Sequence, residues 1–309
     1  MERTILHIKM FVTAVLIVSI TSSCLRDMVF DEKSDYRIYI RPLYDMMYDR
    51  PDKAPAMFRV LLYDPESHKL VSSNMVSGNE GYLYNIHPGV YDILVYNYTL
   101  NRTKVSHEES LSLIQAETSA VSYRKTPIVE TPDHLFVQRL DKVNIPYLST
   151  QDNPFILNCE PRSVVDSWIL IIDGIKGLNY ADYIDVYISG QAQNVFIAKT
   201  GDSRISNVNT TIFFAARCDY AKGLIYTPFT TFGKIPDERA KLELNIRIVG
   251  SGGEVYSCTA DVTDQFDDPA NVRHEIRATF DVTISERKDG GMNPAVDPWN
   301  PDTDTLILR

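Results

Sequence analysis

Cys24 is the residue in this sequence best placed for covalent chemistry. It follows a short basic segment, Met1 to Lys9, an apolar run from Met10 to Ile20, and the small polar residues Thr21, Ser22 and Ser23. A basic region, an apolar stretch of about a dozen residues and small residues before a cut have the layout of a secretory leader. The apolar run falls short of the ~20 residues that a membrane-spanning helix needs. Small side chains let a peptidase approach the backbone, and a cysteine thiol at the new N-terminus is a nucleophile that can receive lipid. Other chemistry is not marked. The sequence has no G-x-S-x-G elbow, P-loop, H-E-x-x-H or glycine-rich dinucleotide fingerprint. Cys159, Cys218 and Cys258 form no C-x-x-C pair, and no histidine (7, 68, 87, 107, 134, 274) lies at ligand spacing from them. In an export compartment these three cysteines leave either one disulfide and one thiol, or three buried thiols. Asp261, Asp264, Asp267 and Asp268 lack the residue order and the glycine of a calcium loop and read as a solvated loop. No enzymatic activity, cofactor or metal is expected.

The chain has 309 residues, 44% of them hydrophobic and 23% charged, which is ordinary for a globular protein and allows about two domains. Lys and Arg total 31 against 41 Asp and Glu, a net charge of −10. A nucleic-acid partner is disfavoured, because phosphate binding calls for a basic excess.

The Thr-Ser-Ser-Cys run resembles a bacterial lipoprotein signal, with Thr21 where Leu is commonest. That resemblance makes residues 1–23 the signal peptide, Cys24 the lipidated residue, and 24–34 a polar tether. Two or more acyl chains anchor a protein stably, so the expectation is an outer-membrane, lipid-anchored protein at the cell surface. Beyond the tether, short runs rich in β-branched and aromatic residues alternate with Gly, Pro and Asn breaks. Tyr36–Ile40, Phe58–Tyr63, Gly81–Ile86 and Val90–Tyr96 come first. Residues 97–132 are more polar, with a helical patch expected near Glu108 to Ala116, and His134–Leu140 returns to strand character. The second half repeats the style in Ser167–Ile172, Tyr183–Ile188, Thr211–Phe214, Lys241–Val249 and Thr279–Ile284. In Lys241–Val249 the residues Leu242, Leu244, Ile246 and Ile248 share one face and Lys241, Glu243, Asn245 and Arg247 the other, the pattern of a half-buried antiparallel strand. The fold class expected is all-β: two successive sandwiches over 35–146 and 147–288, divided at the Ser/Thr/Gln/Asp/Asn-rich stretch after Tyr147.

Residues 289–309 form a tail in which Pro294, Pro298 and Pro301 favour an extended chain. Val296, Trp299, Leu306, Ile307 and Leu308 are its apolar residues, and such a segment can add as a strand to an exposed sheet edge. The competing reading is that the tail folds back over an edge of its own domain. Tyrosines crowd the first half (36, 39, 44, 48, 82, 84, 91, 96, 98). Their faces can stack on sugars, although strand packing accounts for them as well.

The segments Pro88–Asn97, Pro132–Val137, Gly174–Tyr180, Ile188–Gly190, Val195–Gly201 and Asn293–Trp299 together resemble the Bacteroidales fimbrillin-like lipoproteins, the group of type V pilus anchor and accessory subunits, and a related family of uncharacterised exported lipoproteins. The resemblance implies a transthyretin-like Greek-key pair of domains. It also implies a non-enzymatic surface protein that joins a fimbrial subunit by strand addition and serves cell adhesion. A surface glycan-binding lipoprotein of a nutrient-uptake system is the alternative, with a glycan as partner.

Overall fold

A computed structural model describes residues 36–44, 54–122, 125–148, 153–237 and 239–286. Cys24, Tyr48, the tether and the tail from residue 287 lie outside the described residues. Residues 36–147 and those from 155 onward group into one unit, and 148, 153 and 154, which fall outside it, carry no regular element.

Strands dominate. The first half contributes β1 (Tyr36–Ile40), β2 (Met57–Tyr63), β3 (Leu70–Ser77), β4 (Glu80–Tyr82), β5 (Gly89–Asn97), β6 (Thr103–Ser106), β7 (Gln115–Thr118), β8 (Ala120–Ser122), β9 (Ile128–Glu130) and β10 (Phe136–Ile145). The second contributes β11 (Phe155–Cys159), β12 (Arg162–Ser163), β13 (Asp166–Lys176), β14 (Ala181–Ala192), β15 (Asn194–Phe196), β16 (Asn209–Ala215), β17 (Cys218–Asp219), β18 (Leu224–Thr231), β19 (Glu243–Gly250) and β20 (Val255–Asp261). A five-residue helix, α1 (Thr263–Asp267), precedes β21 (Glu275–Thr283) and is the only α-helix among the described residues. The expected patch at 108–116 is instead a tight turn leading into β7. Its apolar residues Leu111, Ile114 and Ala116 are buried by the sheets around them, so tertiary burial rather than helical periodicity sets their spacing.

Five sheets result: β11-β1-β4, β12-β10-β5-β2-β3, β15-β7-β6, β17-β18-β13-β21 and β20-β19-β14-β16-β9-β8. Both faces of β2 and β5 are buried, which is why these runs read as nearly continuous apolar stretches. One face, carrying Leu61, Tyr63, Leu94 and Tyr96, packs with Ala116 of β7 and Val195 of β15 in a single cluster. In the second half Leu244, Ile246 and Ile248 of β19 are fully buried beside Val186 and Ile188 of β14. Each such side chain contributes roughly 1.5–3 kcal/mol relative to exposure.

Pairing crosses residue 147 in both directions. β11 runs parallel to β1 over all five residues, and β12 pairs with β10. β9 runs parallel to β16, and β7 pairs antiparallel with β15. All three cysteines described are free thiols. Cys159 is buried, while Cys218 and Cys258 are half-buried.

Candidate functional site

The second-half core is closed on most sides and open along one. The four-stranded sheet ends at β21 and the six-stranded sheet ends at β20, and these two terminal strands approach each other. Both alternate strictly. β20 turns Tyr256, Cys258 and Ala260 toward the core and Ser257 and Thr259 outward; β21 does the same with Ala278, Phe280 and Val282 against Thr279 and Asp281. In the central strands the inward residues are fully buried, whereas these six are only half-buried. Among the described residues the outer edges of both strands are unpaired, and between them lies a slot with an apolar floor. An edge of this kind accepts another strand through its main chain, with the alternating side chains setting register.

Local sequence explains how β21 is held there. It runs parallel to β13, from Ile169 opposite Glu275 to Lys176 opposite Thr283, with an irregularity between Asp173 and Ile175. Gly174 lies in that irregularity at φ +79, and a Cβ on it would overlap the carbonyl oxygen of Phe280. Gly177 (φ +75) meets the carbonyl oxygen of Ile284 in the same way. Two glycines thus allow the chain to lie directly against β21 where any side chain would separate the strands.

The near end of β21 is covered. The side-chain amide of Gln265 in α1 accepts from the Arg277 N–H at 2.7 Å and donates to the Arg277 carbonyl at 2.9 Å, imitating a paired strand. Asn271 closes the connecting loop by donating to the Gln265 and Glu275 carbonyls. Phe266 and the His274 ring pack on the indole of Trp168, with centroids 4.3 and 4.6 Å away. Beyond Arg277 no strand among the described residues pairs with the outer edge of β21. The backbone N–H of Ile284 donates to the Lys176 carbonyl, Ile284 is buried, and the description ends at Glu286.

Other residues singled out in the sequence fall into place. Asp261 accepts from the Thr263 N–H and hydroxyl at the start of α1, and these bonds hold its carboxyl below the usual range. Asp267 pairs with Lys234, and Asp268 accepts from the Ala270 N–H. Sequence reading took Asp261–Asp268 for a loop, although Asp261 two residues ahead of Thr263 was an available helix-start signal. Among the tyrosines, Tyr36 and Tyr96 are buried, while Tyr39, Tyr44, Tyr82, Tyr84 and Tyr98 are exposed. Tyr82 and Tyr84 lie 6.4 Å apart, and the Arg37 guanidinium sits over the Tyr82 ring. The slot itself was missed. Its signal, Ala278, Phe280 and Val282 alternating with polar residues, reads as an ordinary strand until the missing neighbour is seen.

Fold and slot together define an all-β protein in which two terminal strands are unpaired on one side among the described residues. The chain belongs to the family described as a domain of unknown function, DUF5119, which matches residues 23–214. It is 25% identical over 292 residues to a candidate fimbrium anchoring subunit, Fim4B, of Bacteroides ovatus, covering 81% of this chain and 84% of that protein. Among solved structures, a candidate adhesin from Bacteroides ovatus shares 21% identity at a TM-score of 0.57, over 86% of this chain and 97% of that one. The fimbrial anchor protein Mfa2 from Porphyromonas gingivalis shares 12% identity at a TM-score of 0.49, over 79% and 89% of the two chains. The likeness to the candidate adhesin shows the fold. These relatives fall in the group that the sequence itself resembles. No helix among the described residues is long and apolar enough to cross a membrane.

Proposed function

We propose that this chain is a non-enzymatic, lipid-anchored surface subunit that serves as an anchor or accessory component of a fimbria-like assembly. Lipid on Cys24 holds it to the outer membrane, and a strand contributed by another subunit occupies the slot between β20 and β21. The slot is the observation that carries this reading: two edges unpaired among the described residues, over a half-buried apolar floor, are of the kind that strand addition completes. The name borne by the Bacteroides ovatus relative agrees with it. Val296, Trp299 and Leu306–Leu308 supply the apolar alternation by which the tail itself enters such a pairing, in this chain or in a neighbour. The two-sandwich division at 147 is kept as part of the proposal.

The experiment is shear release of surface filaments followed by mass spectrometry, together with deletion of the gene. An anchor or accessory subunit is found in small, fixed proportion to a major subunit, or its deletion sheds or lengthens filaments. Absence from the polymer fraction combined with unchanged filaments after deletion refutes the reading. The lipid anchor is tested separately: Cys24→Ala abolishes metabolic palmitate labelling, and unchanged labelling rejects it.

A further inference from the structure

A second feature, in the first half and separate from the slot, has the chemistry of a ligand site. A cleft of about 460 Å³ opens between β2, β5 and β6, within the usual size of small-molecule sites, ~300–1,000 Å³. Its floor is built. Glu108 accepts from Arg59 Nε at 3.1 Å and from Arg59 Nη2 at 2.6 Å, and it also accepts the hydroxyl of the fully buried Tyr96. The Tyr63 hydroxyl donates to the Glu108 carbonyl at 2.9 Å, fixing the loop that carries it. Burial and the neighbouring Glu108 carboxylate push the hydroxyls of Tyr63 and Tyr96 well above the ordinary tyrosine range, so both stay protonated as donors.

This arrangement fixes the Arg59 guanidinium by one side and turns the other outward. Among the described residues its Nη1 meets only the Met75 sulfur, 3.5 Å away and a weak acceptor. The Lys104 ammonium, exposed on β6, makes no ion pair among the described residues, although Glu117 is its cross-strand neighbour on β7. Glu109, on the loop beyond, is engaged with His107. The residues lining the cleft thus include two cations and one carboxylate that is already bonded three times, with the Glu117 carboxylate a further acid across from Lys104 on β7, within a chain of net charge −10. Its walls are the half-exposed ring of Tyr98, over which Arg59 sits at 5.4 Å, and the aliphatic side chains of Leu100 and Val105.

We propose that this cleft binds an acidic saccharide: a hexuronic acid unit whose carboxylate takes Arg59 Nη1 and Lys104 Nζ and whose ring lies against Tyr98. The apolar C–H face of a pyranose suits an exposed aromatic ring. A carboxylate suits paired cationic donors, whose charge-assisted bonds are about twice as strong as neutral ones. Local positive charge in an acidic protein also concentrates an anion at this one place. β2 and β5, which form the floor, are paired on both sides, so among the described residues only β6 of the three strands, at the end of its sheet, leaves a main-chain edge free, and tetraglutamate tests a peptide against the saccharide.

The test is calorimetric titration of the full chain with tetrasaccharides of galacturonate, mannuronate and hyaluronan, alongside neutral cellotetraose and tetraglutamate. At least one uronate oligomer binds, and binding weakens as ionic strength rises from ~0.01 to ~0.15 M. Lys104→Gln and Tyr98→Leu each weaken it about tenfold. Both side chains are substantially exposed, so their melting midpoints stay at the wild-type value and separate lost binding from lost folding. The proposal is overturned if no uronate binds, if cellotetraose or tetraglutamate binds as tightly, or if the two variants bind like wild type. None of these outcomes depends on filaments, so it stands or falls apart from the anchor reading.

Discussion

Replacing Gly174 by alanine tests how the open edge is held in place. Gly174, Gly223 and Gly78 all sit at positive φ (+79, +67 and +72), so alanine at any of them meets the same left-handed backbone cost, about 1–2 kcal/mol. The surroundings differ. A Cβ at Gly223 or Gly78 meets nothing within 4 Å, whereas at Gly174 it overlaps the Phe280 carbonyl oxygen and comes within 3.0 Å of the carbonyl carbon. Backbone cannot swing aside as a side chain can, so β13 and β21 must separate at their bulge. Overpacking of this kind adds roughly 1–3 kcal/mol. Gly174→Ala should therefore destabilise by about 2–5 kcal/mol and the two controls by ~1–2 kcal/mol, read from urea midpoints at constant slope. Amide exchange should accelerate across Ala278–Thr283 in the first variant alone. Equal destabilisation in all three would show that the close approach of β21 contributes nothing, and the account of the slot's geometry would fail.

Glu108→Ala should cost roughly 2–4 kcal/mol, because it strands a buried tyrosine hydroxyl and removes the partner of a half-covered guanidinium. Glu108→Gln keeps an acceptor for Tyr96 and should recover part of that loss; a change under ~0.5 kcal/mol in the alanine variant would refute the network. Burial pushes the Cys159 thiol up to about 12, so thiol reagents at mildly alkaline pH should label the half-buried Cys218 and Cys258 first. Cys159 should react only on unfolding, and its labelling in the native state would contradict its burial in β11 beside β1. Asp64, Asp219 and Asp261 have carboxyls held low, the first by the Ser67 N–H and hydroxyl, the second by Lys222, the third by Thr263. A depressed folded value means the unfolded chain binds protons first, so this stability is present above the ordinary carboxylate range and lost as pH falls through the folded values. Asp64→Asn should flatten that acid limb of the urea midpoint, and an unchanged limb would remove Asp64 from the account.

Alternation along single strands was legible in the sequence, and partnership between strands was not. Leu244, Ile246 and Ile248 declared the buried face of β19 because antiparallel pairing with one wet side imposes a period of two. Val90–Tyr96 is instead apolar almost throughout, and Tyr91 and Asp92 are buried along with Leu94, because the sheet is covered on both faces. A period says which residues share a face; it cannot say whether a second layer covers the other. Parallel partners are harder still. Tyr36–Ile40 and Phe155–Cys159 are separated by more than a hundred residues and carry no turn signal to join them. The slot follows the same logic, since an edge is defined by the neighbour it lacks. The cleft escaped notice because Arg59 lies on β2, far along the chain from Tyr98, Lys104 and Glu108, and meets them only through tertiary packing.

The interlocked sheets bear directly on the division into two sandwiches. β1–β11, β10–β12, β9–β16 and β7–β15 all join residues from opposite sides of position 147, and each backbone hydrogen bond adds a net ~0.5–1.5 kcal/mol. Val195, Ile197, Phe232 and Ile235 of the second half are buried in the same cluster as Leu61, Tyr63, Leu94 and Tyr96 of the first, at roughly 1.5–3 kcal/mol for each large apolar side chain. Even discounted for compact unfolded chains, the coupling is on the order of 10 kcal/mol. That is comparable to the whole stability of a typical domain, ~5–15 kcal/mol, so one half should not stay folded after the other has gone. Urea unfolding followed by Trp168 fluorescence, which reports the second half, should coincide with near-ultraviolet tyrosine dichroism and with release of the Cys159 thiol, which is buried in β11 beside β1. Separate midpoints would mean that the strands exchanged across 147 carry little energy and that the halves stand as independent sandwiches. A single transition would mean that the two halves unfold as one cooperative body.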